Sequence, residues 1–121
     1  LAAPYIKATD FERLIAPAVA IRHRVTVYPS SNDGALRLSR KGNTVARVGD
    51  TEHGLSHVQG IKGIEAIDAS KVNSELLGHS YFAQSRSMIL DLQKLLRLGA
   101  APEERGLTPI RGAASVYWTF P

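Results

Sequence analysis

Cysteine is absent from this chain of 121 residues. Its absence excludes disulfide bonds, thiolate metal sites and cysteine nucleophiles, and leaves the redox compartment open. Long apolar runs are absent too, since none approaches the roughly 20 residues that a membrane-spanning helix needs. The first residues, LAAPYIKA, lack the basic and apolar regions of a signal peptide. We therefore expect no membrane span, and a cytoplasmic rather than a secreted chain.

Clusters of basic residues are also missing. Lysine and arginine together number 15 against 11 acidic residues, for a net charge of +4. The basic residues are scattered, whereas nucleic-acid-binding surfaces concentrate them and interleave them with aromatic residues. We therefore expect no nucleic acid partner.

The remaining composition is that of a soluble globular domain, with 44% hydrophobic and 21% charged residues. The length is enough for one modest core. The opening LAAP has the pattern of a strand end followed by a loop. We therefore expect residues 1–121 to form a single domain that is a truncated portion of a larger fold.

Apolar residues at helical spacing predict two helices. The segment TDFERLIAPAVA would begin with Thr9 or Asp10 as its N-cap, and we expect Pro17 to end or bend it. Its apolar face would comprise Phe11, Leu14 and Ile15. The second helix would begin near residue 82 and end at Gly99. Its apolar stripe would comprise Met88, Ile89, Leu92, Leu95 and Leu96.

Two β-branched segments predict strands at 24–29 and 64–68. Strands and helices in alternation, joined by crossovers of a dozen residues or more, indicate parallel pairing. The expected fold class is α/β, with a partial parallel sheet and flanking helices. The apolar tail TPIRGAASVYWTFP should pack on this body. A sheet of two or three strands has a free edge, which another chain, the missing part of the parent or a second copy must cover.

A polar residue follows each predicted strand. Asp33 lies in the turn Asn32-Asp33-Gly34 after the first strand, and His79 lies in the loop after the second. Sites in open α/β sheets lie beyond the carboxyl ends of the strands. An acid that orients a histidine is the acid and base part of a serine hydrolase triad, and acid before histidine is the order in α/β-hydrolases.

Both residues also have a structural interpretation. Asp33 is placed as a turn residue or as the N-cap of a helix predicted at 35–41. His79 is placed as a loop histidine near the start of a helix. Spacing alone leaves the catalytic and structural interpretations open for each.

The stretches LAAPYI, VTVYPSSNDGALRLSR, RVGD, IEAIDAS and GHSYF occur here in that order. In this the chain resembles a family of uncharacterised bacterial α/β-hydrolases that are esterase- or lipase-like. The resemblance covers roughly residues 1–105, and the SSND-ALRLS block and GHSYF are its most specific parts. It implies the C-terminal half of an α/β-hydrolase fold, with Asp33 as the triad acid and His79 as the triad base.

The chain departs from that family in two places. The family usually has an acid after LAAP, where this chain has Tyr5. If that acid belonged to the triad, Asp33 would be only a cap. The G-x-S-x-G nucleophile elbow is also absent from this sequence, and with it the neighbouring oxyanion-hole N–H.

Two serines are weak alternatives for the nucleophile. Ser80 in GHSYF and Ser56 in GLSHV have the first glycine of an elbow but not the second small residue. Neither directly follows a predicted strand, and Ser80 is better placed to cap the helix near residue 82. His53 and His57 are four residues apart but lie in a glycine-broken loop, so we expect neither a metal site nor any other cofactor. His23 has the setting of a surface residue.

Two functions follow as expectations. The first is the C-terminal portion of a serine ester hydrolase, inactive alone because it lacks the nucleophile, which acts on a small ester only when completed. The alternative is a non-catalytic α/β module, derived from a hydrolase, that works by binding or self-association. The expected partner at the sheet edge is the missing N-terminal hydrolase half or a second copy of this chain.

Overall fold

The described elements are a helix, two strands, a second helix and a C-terminal β-hairpin. A computed structural model describes residues 8–22, 24–30, 61–72, 85–112 and 115–121. In these ranges the elements are α1 (Ala8–Arg22), β1 (Val25–Val27), β2 (Ile64–Asp68), α2 (Arg86–Leu98), β3 (Thr108–Arg111) and β4 (Val116–Thr119). The strand predicted at 64–68 is confirmed with its bounds, and the one predicted at 24–29 is confirmed in its central part.

The described strands form one mixed sheet in the order β1-β2-β4-β3. β1 pairs with β2 in parallel, with Val27 opposite Ala66, and β2 pairs with β4 in parallel, with Ile67 opposite Trp118. β3 runs antiparallel to β4. The predicted α/β class and parallel pairing are confirmed, and the antiparallel hairpin adds two strands that the sequence analysis did not predict.

Each face of the sheet has its own apolar cluster, because side chains alternate along every strand. On the α1 face, Phe11 packs with Val27 and Ala66. The α2 face has the larger cluster, whose buried members are Tyr28, Ile67, Ala69, Met88, Leu107, Trp118 and Phe120. The described part of the chain is therefore a sheet with an apolar cluster on both faces.

Helix α1 is confirmed, but its predicted ends are wrong. It begins at Ala8, so Thr9 and Asp10 lie inside its first turn, and it continues through Pro17 to Arg22. Proline removes only one backbone hydrogen bond from the helix, and the alanines around it are the best helix formers. Leu14 is 56% exposed, so the predicted apolar face is restricted to Phe11 and Ile15.

Helix α2 begins later than predicted. Its N-cap is Ser85, whose Oγ accepts a hydrogen bond of 3.4 Å from the backbone N–H of Met88, so neither residue 82 nor a cap at Ser80 marks its start. It ends as predicted at Gly99, which has the left-handed φ of 60°. Met88, Leu92 and Leu95 pack on the sheet, whereas the predicted stripe members Ile89 and Leu96 are exposed.

The tail packs on the body, as predicted, by forming the β3–β4 hairpin. A hydrogen bond of 2.8 Å from the N–H of Gly112 to the carbonyl of Ser115 closes its turn. β4 lies beside β2, which places Trp118 and Phe120 in the cluster on the α2 face. The hairpin therefore belongs to the same core as β1 and β2.

Candidate active site

The candidate active site lies at the edge of the sheet where its parallel strands end. Because β1, β2 and β4 run in the same direction, their carboxyl ends meet at one edge. The residues there are Ser30 after β1, Asp68 at the end of β2 and Thr119 at the end of β4. Ser30 and Thr119 are buried, and Asp68 is half-buried.

Backbone contacts continue this edge past the strands. The N–H of Ala69 donates a hydrogen bond of 2.8 Å to the carbonyl of Pro29, which holds the first residues beyond β1 and β2 together. The N–H of Ser70 donates to Oδ1 of Asp68 at 2.9 Å, the local turn that aspartate favours. The two segments that leave β1 and β2 therefore start side by side.

The residues singled out from the sequence lie outside the described residues. This applies to the proposed acid and base, Asp33 and His79, and to the weaker candidates Ser80, Ser56, Tyr5, His23, His53 and His57. The predicted helix at 35–41 lies outside them as well. Along the chain, Asp33 comes three residues after Ser30, and His79 comes seven residues after Val72.

A series of ion pairs, called here the ionic chain, lies on the α2 face of the sheet, and the sequence analysis missed it. It extends from Arg24, before β1, to Asp91, which contacts Tyr28 after β1. Nε of Arg24 lies 3.1 Å from Oε1 of Glu65, and Nη2 of Arg105 lies 3.5 Å from Oε2 of Glu65. Nε of Arg105 lies 3.2 Å from Oδ1 of Asp91. Oδ2 of Asp91 accepts a hydrogen bond of 2.6 Å from the hydroxyl of Tyr28. The two arginines and two carboxylates balance one another in charge.

The centre of this ionic chain is buried. The side chains of Arg105 and Asp91 are 0% and 3% exposed. Within the described residues, the guanidinium of Arg105 makes ion pairs but no hydrogen bond. A buried cation of this kind is tolerated only because two carboxylates face it.

Burial also changes the pKa of Tyr28. Loss of solvent raises the pKa of its hydroxyl well above the ordinary value, and the hydrogen bond to Asp91 and the charge of Asp91 raise it further. The hydroxyl therefore remains a hydrogen-bond donor at any physiological pH. In this position it donates a hydrogen bond to Asp91.

One local signal for the ionic chain was present in the sequence. Asp91 lies three residues after Met88 and four residues before Leu95, which places a carboxylate inside the apolar stripe of α2. A carboxylate at such a position needs a buried partner. Its partner Tyr28 is 63 residues away along the sequence and Arg105 lies beyond the end of α2, so helical spacing does not identify them.

Metal binding by the described residues is a separate question. Among them, no three histidine, cysteine, aspartate or glutamate side chains are grouped as a metal ion would require. Neither α1 nor α2, the helices in the described ranges, has the length and hydrophobicity to cross a membrane.

Comparison with known proteins gives a family match over residues 1–98. The family is described as an alpha/beta hydrolase of unknown function (DUF900). The matched range contains α1, β1, β2 and α2, and it ends at Leu98, before the β3–β4 hairpin. No curated protein and no solved structure gave a match.

Proposed function

Because the chain belongs to the family of alpha/beta hydrolases of unknown function, we propose that it is the C-terminal portion of a serine ester hydrolase. In this proposal residues 1–121 form a single domain in which Asp33 is the acid of the triad and His79 is the base. The nucleophile would come from a G-x-S-x-G elbow in an N-terminal portion. Alone, the chain would not hydrolyse esters.

The parallel pairing of β1 with β2 is the observation that carries the proposal. Val25 lies opposite Ile64 and Val27 opposite Ala66, so the two strands end at the same edge. Asp33 and His79 follow these two strands in sequence and fall inside the family match. An acid and a histidine in the segments after neighbouring parallel strands match the chain order of an α/β-hydrolase triad, which supports the proposal.

The proposed chemistry is acyl transfer. The serine oxygen attacks the ester carbonyl carbon while Nε2 of His79 takes the serine proton, and the carbonyl π electrons move onto the oxygen. When the tetrahedral intermediate collapses, the ester C–O bond breaks and His79 returns the proton to the leaving alcohol. Asp33 accepts a hydrogen bond from Nδ1–H of His79, which fixes the tautomer and stabilises the imidazolium.

A fusion protein tests these roles. The N-terminal portion of a family member that carries the elbow would be joined to residues 1–121, and hydrolysis of short p-nitrophenyl esters would be measured. We expect His79→Ala to reduce kcat by about 10⁴-fold or more, and Asp33→Asn to reduce it by a similar order because the wrong tautomer is then held.

Matched replacements elsewhere serve as controls. His57→Ala and Asp50→Asn should leave kcat within about twofold, since neither residue has a role in the proposal, and circular dichroism would verify that every variant folds. Full activity in the His79→Ala fusion would contradict the assignment of the base. Full activity in Asp33→Asn alone would point to a different acid.

Among the described strands β1 has a neighbour on one side only, which supports a proposal about the partner. Among the described strands β1 is at one edge of the sheet, and a groove of about 650 Å³ runs beside it. Val25, Tyr28, Leu92 and Leu95 are among the residues that line this groove. We propose that the N-terminal hydrolase portion covers it with a further strand, because an edge of this kind otherwise pairs with other chains.

Self-association is the second candidate, and exposed leucines favour it. Leu96 and Leu98 at the end of α2 are 79% and 75% exposed. A non-catalytic module derived from a hydrolase would bury them, together with the β1 edge, in a dimer of identical chains. Light scattering coupled to size exclusion distinguishes the two: a stable dimer favours this module, and a monomer favours the hydrolase portion.

A further inference from the structure

The buried hydroxyl of Tyr28 joins the carboxyl end of β1 to α2. Tyr28 follows β1 directly and is 2% exposed. Its hydroxyl reaches 63 residues along the sequence to Asp91 on α2, at 2.6 Å. The tyrosine is five residues before Asp33. Whatever fixes Tyr28 therefore also fixes the end of β1, after which the chain continues to Asp33.

Asp91 is in turn held by Arg105, which lies in the turn after α2. Oδ1 of Asp91 faces Nε of Arg105 at 3.2 Å, while Oδ2 accepts from Tyr28. The carboxylate therefore has one oxygen for the cation and one for the tyrosine. Lys94 donates a hydrogen bond of 3.3 Å from Nζ to the carbonyl of Arg105, which ties this turn back to α2.

At the other end of the ionic chain, Arg24 binds the start of β1 to its neighbours. Arg24 bonds Oε1 of Glu65 and donates from Nη2 to the carbonyls of Gly99 and Ala100 at 3.0 and 3.3 Å. Thr26 donates from Oγ1 to Oε2 of Glu65 at 3.0 Å. The ionic chain therefore contacts β1 at Arg24 before the strand, at Thr26 within it and at Tyr28 after it.

We propose that Arg105 is a positioning residue for the acid of the triad: through Asp91 and Tyr28 it fixes the carboxyl end of β1. Arg105 lies beyond the family match, which ends at residue 98. The turn after α2 would then be part of the catalytic unit and not an appendage. The consequence for catalysis rests on the proposed function, whereas the fixing of β1 does not.

Hydrogen exchange of the complete 121-residue chain tests the structural part. In Tyr28→Phe the ring stays and only the link to Asp91 is lost, so amides in residues 25–30 should exchange about tenfold faster. Arg105→Met should accelerate the same amides. In Tyr28→Phe, residues 108–119 of the hairpin should be accelerated less than residues 25–30, because the lost hydrogen bond lies outside the hairpin.

Tyr117→Phe is the matched control. Tyr117 is half-buried on the other face of the sheet, packed against the α1 cluster. Its replacement should leave exchange in residues 25–30 unchanged. Unchanged rates there in Tyr28→Phe, or an equal acceleration across the hairpin, would overturn the proposal. If Arg105→Met does not fold, Tyr28→Phe decides the outcome alone.

The fusion protein tests the catalytic part. Misplacing the acid should lower kcat of Tyr28→Phe and Arg105→Met by about tenfold to a hundredfold with KM unchanged. Arg105→Lys, which keeps the charge, should recover part of that loss. Unchanged kcat in Tyr28→Phe would contradict the catalytic part. A fusion without any activity would count against the proposed function, while the exchange result would still decide whether the network fixes β1.

Discussion

Tyr28 and Asp91 are joined by a hydrogen bond of 2.6 Å that connects the end of β1 to the middle of α2. Both residues are buried, and Arg105 supplies the positive charge that keeps the carboxylate stable there. The arrangement links the strand before the proposed acid to a helix and to the turn that follows it. Several measurable properties depend on this contact.

Stability should depend on pH through Tyr28. Its pKa in the folded chain is raised by burial above the value of about 10 that it has when unfolded. Above that pH the unfolded chain loses the proton and the folded chain keeps it, so the free energy of unfolding falls by about 1.4 kcal/mol per pH unit. Below it the contribution is fully present.

Urea denaturation between pH 9 and about 11 measures this slope. Across this range Tyr28→Phe should lose about 1.4 kcal/mol less free energy of unfolding than the wild-type chain. Identical slopes in Tyr28→Phe and the wild type would show that the hydroxyl ionises equally in both states.

Arg105 should contribute more to stability than any exposed arginine. Arg105→Met leaves Asp91 buried without its cation, which costs about 3–5 kcal/mol of free energy of unfolding. Arg13 offers a matched control, because it forms an ion pair of 3.5 Å with Asp10 on the surface of α1. Arg13→Met should change stability little. Equal effects in chemical denaturation would contradict the buried pair.

The start of α2 can be checked by its cap. Ser85→Ala removes the oxygen that accepts from the N–H of Met88 and should cost about 1 kcal/mol. Ser87 is exposed inside the helix, and Ser87→Ala should be close to neutral. Denaturation midpoints compare the two. A neutral Ser85→Ala together with a costly Ser80→Ala would place the cap where the sequence pattern alone predicted it.

The sequence predicted the elements with strong local patterns. Ile64–Asp68 is β-branched and lies next to a turn, and α2 has apolar residues at helical spacing with Gly99 at its end. Strand β3 was missed because Pro109 argues against a strand, and proline is tolerated there only because β3 is an edge strand of the described sheet. Whether a strand lies at the edge of a sheet cannot be read from its local sequence.

The candidate site was accessible to sequence reasoning only in part. Asp33 and His79 follow predicted strands, so topology points to them. The ion pairs that Glu65 forms with Arg24 and Arg105 each join residues 40 or more positions apart. Local sequence patterns do not predict contacts over such separations. Their association depends on β2 lying between β1 and β4, which only the folded sheet establishes.

The most direct test of the account is intact-mass spectrometry after incubation with a fluorophosphonate, which labels activated serines. The 121-residue chain alone should gain no adduct, and the fusion protein should gain one that His79→Ala abolishes. That result would show that this chain supplies the base to a serine from another segment. A stoichiometric adduct on the isolated chain, mapped to Ser80 or Ser56, would contradict the account, because the nucleophile would then lie within residues 1–121.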